Sequence, residues 1–426
     1  MSRGRPMADL LAYLDGTLAG TFAMNASGRV TFAYDGDYRS QATPTPMSLS
    51  MRPTRAEWPS RAAGPFLAGL LPDSPERLAE LASRYRTSQH PFRLLESVGR
   101  DAAGAVQLLP PDEASSDAAS RTGDVERLTD DDVAVLLASA SRDPGVWGRD
   151  DHGGRWSLAG AQSKVALFRF PDGSWGVPRD STPTTHILKP TAAALPDHDV
   201  NEFVSMAAAR ALGLEVADHE LMRTAAGTHV FVTRRFDRVE RDGVWHRLHQ
   251  EDFCQAMSVD PSHKYQDQGG PSVRQIARVV AENIPDHGVR SVTQRALFEA
   301  LVFTVASQNT DAHAKNYSLT LSGSDVRLAP LYDLGSHSPY PTRGGAPLRS
   351  AMSIGDEYAL DSIGEPEFRD AARSFAIPAD EAVHRYRRII GGVAEAFEVA
   401  AAQIDEPFAA TLSESVAANA SRRGWS

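Results

Sequence analysis

Cysteine is almost missing from this chain: among 426 residues there is one, Cys254. A single thiol excludes an intramolecular disulfide framework and fits a reducing compartment. Long apolar runs are missing too. No uncharged stretch reaches the ~18 residues that a membrane-spanning helix requires. Near the start, Asp9 and Asp15 interrupt the apolar core that a secretory leader would need after Arg3 and Arg5. Positive charge is in deficit, with 44 Lys and Arg against 55 Asp and Glu, a net charge of −11. That balance excludes a general nucleic-acid or anionic-membrane binder. Proline and glycine, at 27 and 32 residues, are too few for a collagenous or low-complexity protein. What remains is 42% hydrophobic and 23% charged, ordinary for a globular chain with a sizeable core. The length suits two or three domains or one two-lobed unit, and the expected compartment is the cytoplasm.

The pattern along the chain predicts a mixed α+β fold. Leu10–Leu14 and Val30–Tyr34 read as strands between the turn residues Gly16, Gly20 and Gly28. Residues 38–60, with four prolines, read as irregular, and Pro75–Tyr85 and Phe92–Val98 as helices. The segment 111–154 reads as a connection, Pro-, Asp- and Ser-rich at first, with a helix over Asp130–Ala140 and a glycine-containing loop over Gly145–Gly154. From 155 to 238 the texture is that of a β-rich lobe: Val165–Phe170 and Trp175–Val177 flank an Asp172-Gly173 turn, followed by Thr185–Leu188, Val216–Met222 and His229–Arg235. A helix is predicted from Asp199, with Glu202 completing a capping box. Residues 239–426 read as mostly helical, with helices at Gln250–Met257, Val273–Glu282, Val292–Ser307, Glu365–Phe375 and Ala379–Ala402.

The densest polar cluster is Asn309-Thr310-Asp311-Ala312-His313-Ala314-Lys315-Asn316, directly after an apolar helix. Polar groups crowded there are costly unless they are paired or functional. Asp333 follows inside the apolar stretch Pro330–Leu334. Asp311, Asn316 and Asp333 supply oxygen donors of the kind Mg²⁺ takes. The Asp-x4-Asn spacing matches a kinase catalytic loop, in which the Asp accepts the hydroxyl proton and the Asn holds metal. Taken singly, each of these residues is equally at home as a cap or a turn, and His313 as a packed histidine. Upstream, Trp156–Lys164 is rich in small residues and can offer backbone N–H groups to phosphate oxygens. It is neither a Walker A motif nor the glycine loop of ordinary protein kinases. Lys189 ends a strand and can bridge phosphates, with Glu202 its candidate partner if that glutamate is not a cap. Phe236 and Asp237 end a strand where a nucleotide cleft between two lobes would lie.

Several motifs, in this order, resemble the HipA family of serine/threonine kinases, the toxins of bacterial toxin–antitoxin pairs. They are Ser157–Gln162, Thr185–Lys189, Arg235–Arg238, Gln250–Gln255, Thr310–Asn316 and Leu331–Asp333, with Gly99-Arg100-Asp101 and Gly104–Gln107 nearer the start. The resemblance implies a bilobal kinase-like fold, with residues 1–110 as the family's N-terminal subdomain, 155–238 as the nucleotide-binding lobe and 239–426 as the helical catalytic lobe. It implies ATP and Mg²⁺ as cofactors, Asp311 as catalytic base, and Asn316 and Asp333 as the metal ligands. Lys189 would touch the ATP phosphates, which the loop carrying Ala159, Gly160, Ala161, Gln162 and Lys164 would cover. Arg234, Phe236 and Asp237 would meet adenine and ribose, and His313, Lys315 and Tyr332 belong to the matching site motifs. Ser157 matches the autophosphorylation serine whose modification expels the loop. The implied partners are a protein substrate, such as glutamyl-tRNA synthetase, and a HipB-like helix-turn-helix antitoxin through which alone the chain would meet DNA. No membrane partner is implied. Ser163 stands where the family often carries an acidic residue.

Two other readings follow from the same residues. One is a catalytically inactive kinase-like scaffold that only binds an antitoxin; the presence together of Lys189, Asp311, Asn316 and Asp333 opposes it. The other is a metal-dependent phosphohydrolase using Asp311-Ala312-His313 with Asp197-His198-Asp199.

Overall fold

A computed structural model describes residues 8–113, 118–142, 156–160, 162–191, 195–224, 227–342 and 346–425; Ala161 and the loop anticipated at 145–154 lie outside them. The fold is mixed α/β. By internal contacts the chain divides into two compact units. The first comprises residues 1–192, 222–262 and 319–326, and the second residues 193–221, 263–318 and 327–426. The segments read as 1–110, 111–154 and 155–238 thus fall largely in one unit, to which the segment read as a helical lobe also contributes.

The first unit opens on a five-stranded antiparallel sheet in the order Glu57–Trp58, Val30–Tyr34, Thr17–Met24, Ala8–Leu14, Val106–Leu109. Its first hairpin turns at Asp15-Gly16, where φ is +48° and +81°. Two positive φ angles in a two-residue loop match the right-handed strand twist, and an Asp-Gly pair accepts them readily. Val30–Tyr34 alternates buried and exposed residues, and Phe22 and Phe32 meet with ring centroids 4.6 Å apart. The same core takes in Phe66, Leu67, Leu81 and Leu95 from the helices Ser60–Gly69, Pro75–Arg84 and Pro91–Val98. The stretch 38–60, read as irregular, still supplies an edge strand, Glu57–Trp58, opposite Phe32 and Ala33.

In the second sheet of this unit the strands Val125–Arg127, Trp175–Pro178, Val165–Arg169, His186–Pro190 and His229–Arg234 lie side by side. The hairpin anticipated at Asp172-Gly173 forms, with Phe168 opposite Gly176 and Gly173 at φ +87°. The segment 111–154 does more than connect. Val125–Arg127 pairs with Trp175–Pro178, and the helix Asp130–Arg142 packs Leu136 and Leu137 against Val165, Leu167 and Val177. A three-residue edge strand with one apolar side chain leaves no periodicity to read. Gln250–Met257, read as a helix, instead splits into the strand His249–Asp252 and the short helix Phe253–Ala256, because Asp252 and Gln255 form a capping box at that point.

The second unit is largely helical: His198–Ala211, Val273–Asn283, His287–Ala306, Glu365–Ser374, Ala379–Ala401 and Pro407–Arg422. Its aromatic contacts include Phe303 stacked on Phe397 at 6.2 Å and Phe298 edge-on to Phe368 at 5.7 Å. The helix read from Val292 begins earlier, at His287, since Asp286 accepts from the Val289 N–H at 2.8 Å. The capping box read at Asp199 and Glu202 does not form. The helix begins at His198 after Asp197, whose φ of +56° is left-handed, and both carboxylates are buried inside the first turns.

Candidate active site

The cluster around Asp311 owes its position to the way the preceding helix stops. Gln308 takes φ +54°. The Asn309 N–H then returns to the Thr304 carbonyl at 2.9 Å, and the Gln308 N–H to Val305 at 3.2 Å. These are the paired bonds of a Schellman end, which satisfy the last helical carbonyls and turn the chain sharply. Asn309 Oδ1 accepts from the Asp311 N–H at 2.9 Å. The Asp311 carbonyl accepts from the His313 N–H and from Asn316 Nδ2, each at 2.8 Å. The backbone of Asp311 is therefore held from both sides, while its side chain remains 61% exposed. That carboxylate accepts a hydrogen bond from the Tyr265 hydroxyl. Tyr265 also packs edge-on against His313 at 5.1 Å, and His313 Nε2 lies 3.8 Å from Asp311 Oδ1.

Asp333 is fixed through its neighbours. Leu331 pairs with the segment around Val216, donating to the Glu215 carbonyl at 2.8 Å and accepting from Ala217 at 2.9 Å. The Tyr332 hydroxyl donates to the Lys315 carbonyl at 2.8 Å and lies 2.6 Å from Ser318 Oγ. Asp333 has φ +57°, a region that aspartate tolerates better than most side chains. Just beyond it, Asn201 holds both backbone groups of Ser336 at 2.8 Å. One clamp joins the Asp333 segment to the Asp311–Asn316 loop, and the other joins it to the helix His198–Ala211.

The residues fit a hard cation. Asn316 gives its amide nitrogen to the Asp311 carbonyl, which leaves Oδ1 as its acceptor end, and Asp333 adds a carboxylate. Among the described residues no group of three His, Cys, Asp or Glu side chains forms a metal centre. The phosphohydrolase alternative therefore lacks the ligand cluster it needs.

The remaining sequence-predicted residues belong to the first unit. Ser157 is fully buried; its hydroxyl donates to the Leu70 carbonyl at 2.5 Å and its N–H to Asp101 at 2.9 Å. In the loop that follows, Gly160 takes φ +102° and Lys164 Nζ bonds the Ala159 carbonyl at 2.7 Å. A Cβ on Gly160 would lie 2.7 Å from that ammonium. Arg77 ties down the far end, donating to the Gln162 carbonyl at 2.7 Å and Ser163 Oγ at 3.1 Å. Lys189 is buried on its strand opposite Phe231, with Nζ 5.6 Å from that ring's centroid. Arg234 is exposed beside the Trp245 ring, and Phe236 is half-buried.

Asp237 has different company from that anticipated. Its carboxylate accepts from Arg235 Nη2 at 2.9 Å and the Gly104 N–H at 2.7 Å, and pairs with Arg238 Nη1 at 3.0 Å. Asp101 takes Arg238 and Arg247 at 2.9 Å, Arg235 at 3.4 Å and Thr184 Oγ1 at 2.7 Å. Burial acts to raise both carboxyls, but the guanidinium groups overcome it and hold both below the ordinary range. Two motifs far apart in sequence, Gly99–Asp101 and Arg235–Arg238, thus meet in one buried ion network.

Sequence reasoning missed Tyr265, which lies 46 residues before the aspartate it touches. It also missed Arg77, which lies in another segment from the loop it holds. Neither residue sits in a pattern that singles it out.

Comparisons with known proteins bear on the family to which the chain belongs. The model of the HipA N-terminal domain matches residues 10–109, and that of the HipA-like C-terminal domain matches residues 156–399. The chain is 35% identical over 395 residues to a Sinorhizobium fredii protein named "Putative kinase Y4mE", covering 91% of this chain and 90% of that one. It is 26% identical over 384 residues to the serine/threonine-protein kinase toxin HipA of Shewanella oneidensis, covering 86% and 83%. Among solved structures, the S. oneidensis HipA, HipB and operator DNA complex includes a chain that aligns with a TM-score of 0.81 at 22% identity over 97% of both chains. Matched across both of its domains, this chain belongs to the HipA family of kinases.

Proposed function

We propose that the chain is an ATP- and Mg²⁺-dependent serine/threonine protein kinase of bilobal, kinase-like architecture, acting in the cytoplasm. The observation that carries this reading is Asp311: an exposed carboxylate on a backbone clamped from both sides, with Asn316 bonded to its carbonyl. Asp311 accepts the proton of the attacking hydroxyl and sets its direction, the positioning role that dominates phosphoryl transfer. Asn316 and Asp333 are the residues that would hold Mg²⁺. Lys189 and the loop Leu158–Lys164 would hold the phosphates, Arg234 and Phe236 would meet the base, and Asp237 acts by fixing Arg235 and Arg238. Bound Mg–ATP supplies the phosphoryl group and the cation that offsets its charge.

Ser157 is the site of self-inactivation. A phosphate there adds up to about two negative charges, which cannot share the buried seat against the Leu70 carbonyl, so the loop moves out. A HipB-like helix-turn-helix antitoxin is the partner that carries the DNA contacts, and an aminoacyl-tRNA synthetase is the first substrate to try. The complete set of Lys189, Asp311, Asn316 and Asp333 favours this reading over an inactive scaffold.

Intact-mass and peptide mapping of purified protein, with and without Mg–ATP, tests the proposal beside Asp311→Asn. Phosphate on Ser157 in the wild type and none in the variant is the expected result. If neither Ser157 nor a supplied synthetase gains phosphate while Mg–ATP binds, the scaffold reading replaces this one.

A further inference from the structure

The first unit contains a cavity of about 260 Å³ that the kinase reading leaves unused, lined in part by Arg100, Arg179, Arg247, Trp156, Asp101 and Asp180. Its hydrogen-bonding groups do not balance. Asp101 is committed to three guanidinium groups and Thr184. Asp180 accepts from the Thr122 N–H at 2.7 Å, the Thr122 hydroxyl at 2.9 Å and the Thr182 N–H at 2.8 Å. Both carboxylates of the lining are therefore in use. Two buried donors are left over: the Trp156 indole N–H and Arg247 Nη2 have no hydrogen-bond partner, although Trp156 is only 2% exposed and Arg247 only 3%. Buried donors without partners are costly and rare in native proteins.

A cavity with surplus donors selects a ligand made of acceptors. We propose that it is a binding site for a phosphate group carried on a small organic body. The oxygens of a phosphate point in several directions, so one group can meet donors that converge from different walls, and arginine is well suited to it. The volume equals that of roughly eight or nine liquid waters, more than a bare phosphate fills. The site is distinct from the proposed nucleotide site and does not depend on the kinase reading. It does adjoin the regulatory loop: Trp156 pairs through its backbone with Asp101, and Ser157 follows it. An occupant bonded to the Trp156 indole braces the base of that loop.

The test uses full-length protein with ¹⁵N-indole tryptophan, following the Trp156 Nε1–H resonance, assigned with Trp156→Phe. Inorganic phosphate, glycerol 3-phosphate and succinate are titrated separately at ionic strength fixed with chloride, without ATP. Expected is a saturable shift of that one resonance with both phosphates, tighter for glycerol 3-phosphate, and at least fivefold weaker binding in Arg179→Gln. Arg179 is part-exposed and paired with Glu126, so this variant is expected to fold even if Trp156→Phe does not. Melting of the wild type under the same additions gives a second readout, with the midpoint expected to rise. Binding of bare phosphate alone would remove the organic body from the assignment. No saturable shift and no rise in midpoint, or equal binding of succinate, overturns the proposal.

Discussion

Asp101 and Asp311 carry the same side chain under opposite conditions. Asp101, 9% exposed, is surrounded by three guanidinium groups and a threonine. Asp311, 61% exposed, has its backbone clamped, and its carboxylate receives the Tyr265 hydroxyl. A saturated carboxylate has no lone pair left for a reaction; what it contributes is position, since removing one partner leaves buried charge uncompensated. An exposed carboxylate on a fixed backbone contributes little to stability and can receive a proton. Glu251 shows a third condition, buried with Ser48 Oγ at 2.6 Å and the Leu49 N–H at 2.7 Å as hydrogen-bond partners. Burial pushes its carboxyl up to about 8.

The sharpest way to break the contrast is to exchange charge for amide at both aspartates. Asp311→Asn is expected to lower phosphoryl transfer by about a hundred- to ten-thousand-fold with an unchanged melting midpoint, read by phosphopeptide formation and calorimetry. Asp101→Asn is expected to do the reverse, costing about 3–5 kcal/mol of stability in urea unfolding, while ATP affinity of the folded fraction persists. An unchanged unfolding midpoint in Asp101→Asn would show that the network is not structural.

Glu251 sharpens the comparison through pH. Its folded value lies above its ordinary value of 4.5. Below pH 4.5 both folded and unfolded states hold the proton and nothing is lost. Between 4.5 and 8 the unfolded chain releases its proton while the folded chain keeps it, so stability falls as pH rises, and above 8 the slope ends. Glu251→Gln should flatten that decline in urea unfolding at pH 5, 6.5 and 8. Asp101 acts in the opposite direction: its folded value lies below 3.8, so its contribution disappears as pH falls through the acid range.

Smaller effects are expected at the two tyrosines. Tyr332→Phe removes the hydroxyl that joins the Lys315 carbonyl to Ser318. It should cost about 1 kcal/mol and lower kcat about tenfold with little change in KM, because the two segments proposed to hold Mg²⁺ lose their common anchor. Tyr265→Phe should leave the melting midpoint in place and change kcat only a few-fold, seen in the same kinase assay.

Much of the site was legible because its residues lie close together in the chain. Asp311 and Asn316 are five positions apart and share one loop, and the hairpins at Asp15-Gly16 and Asp172-Gly173 carry their own turn chemistry. The family motifs were legible too, but their division of labour was not. Asp237, read as a nucleotide contact, is held by arginines 1–2 residues away and by Gly104, a partnership that needs the fold to bring 101–104 beside it. Asp199 and Glu202 satisfy a capping pattern on paper, yet the helix begins one residue earlier, at His198, and takes both inside. Tyr265, Arg77 and the edge strand Val125–Arg127 act over distances that leave no local periodicity.

Under the self-inactivation proposed for Ser157, its buried seat also sets a clock. A hydroxyl with no exposed surface, bonded to the Leu70 carbonyl, can be modified only in the fraction of molecules whose loop has lifted. The rate of self-silencing is then the chemical rate multiplied by that fraction. Every 1.4 kcal/mol of seating energy lengthens the delay tenfold. Substitutions at Arg77, which holds the Gln162 carbonyl and Ser163 Oγ farther along the loop, would shorten the working life of the proposed kinase without altering its chemistry.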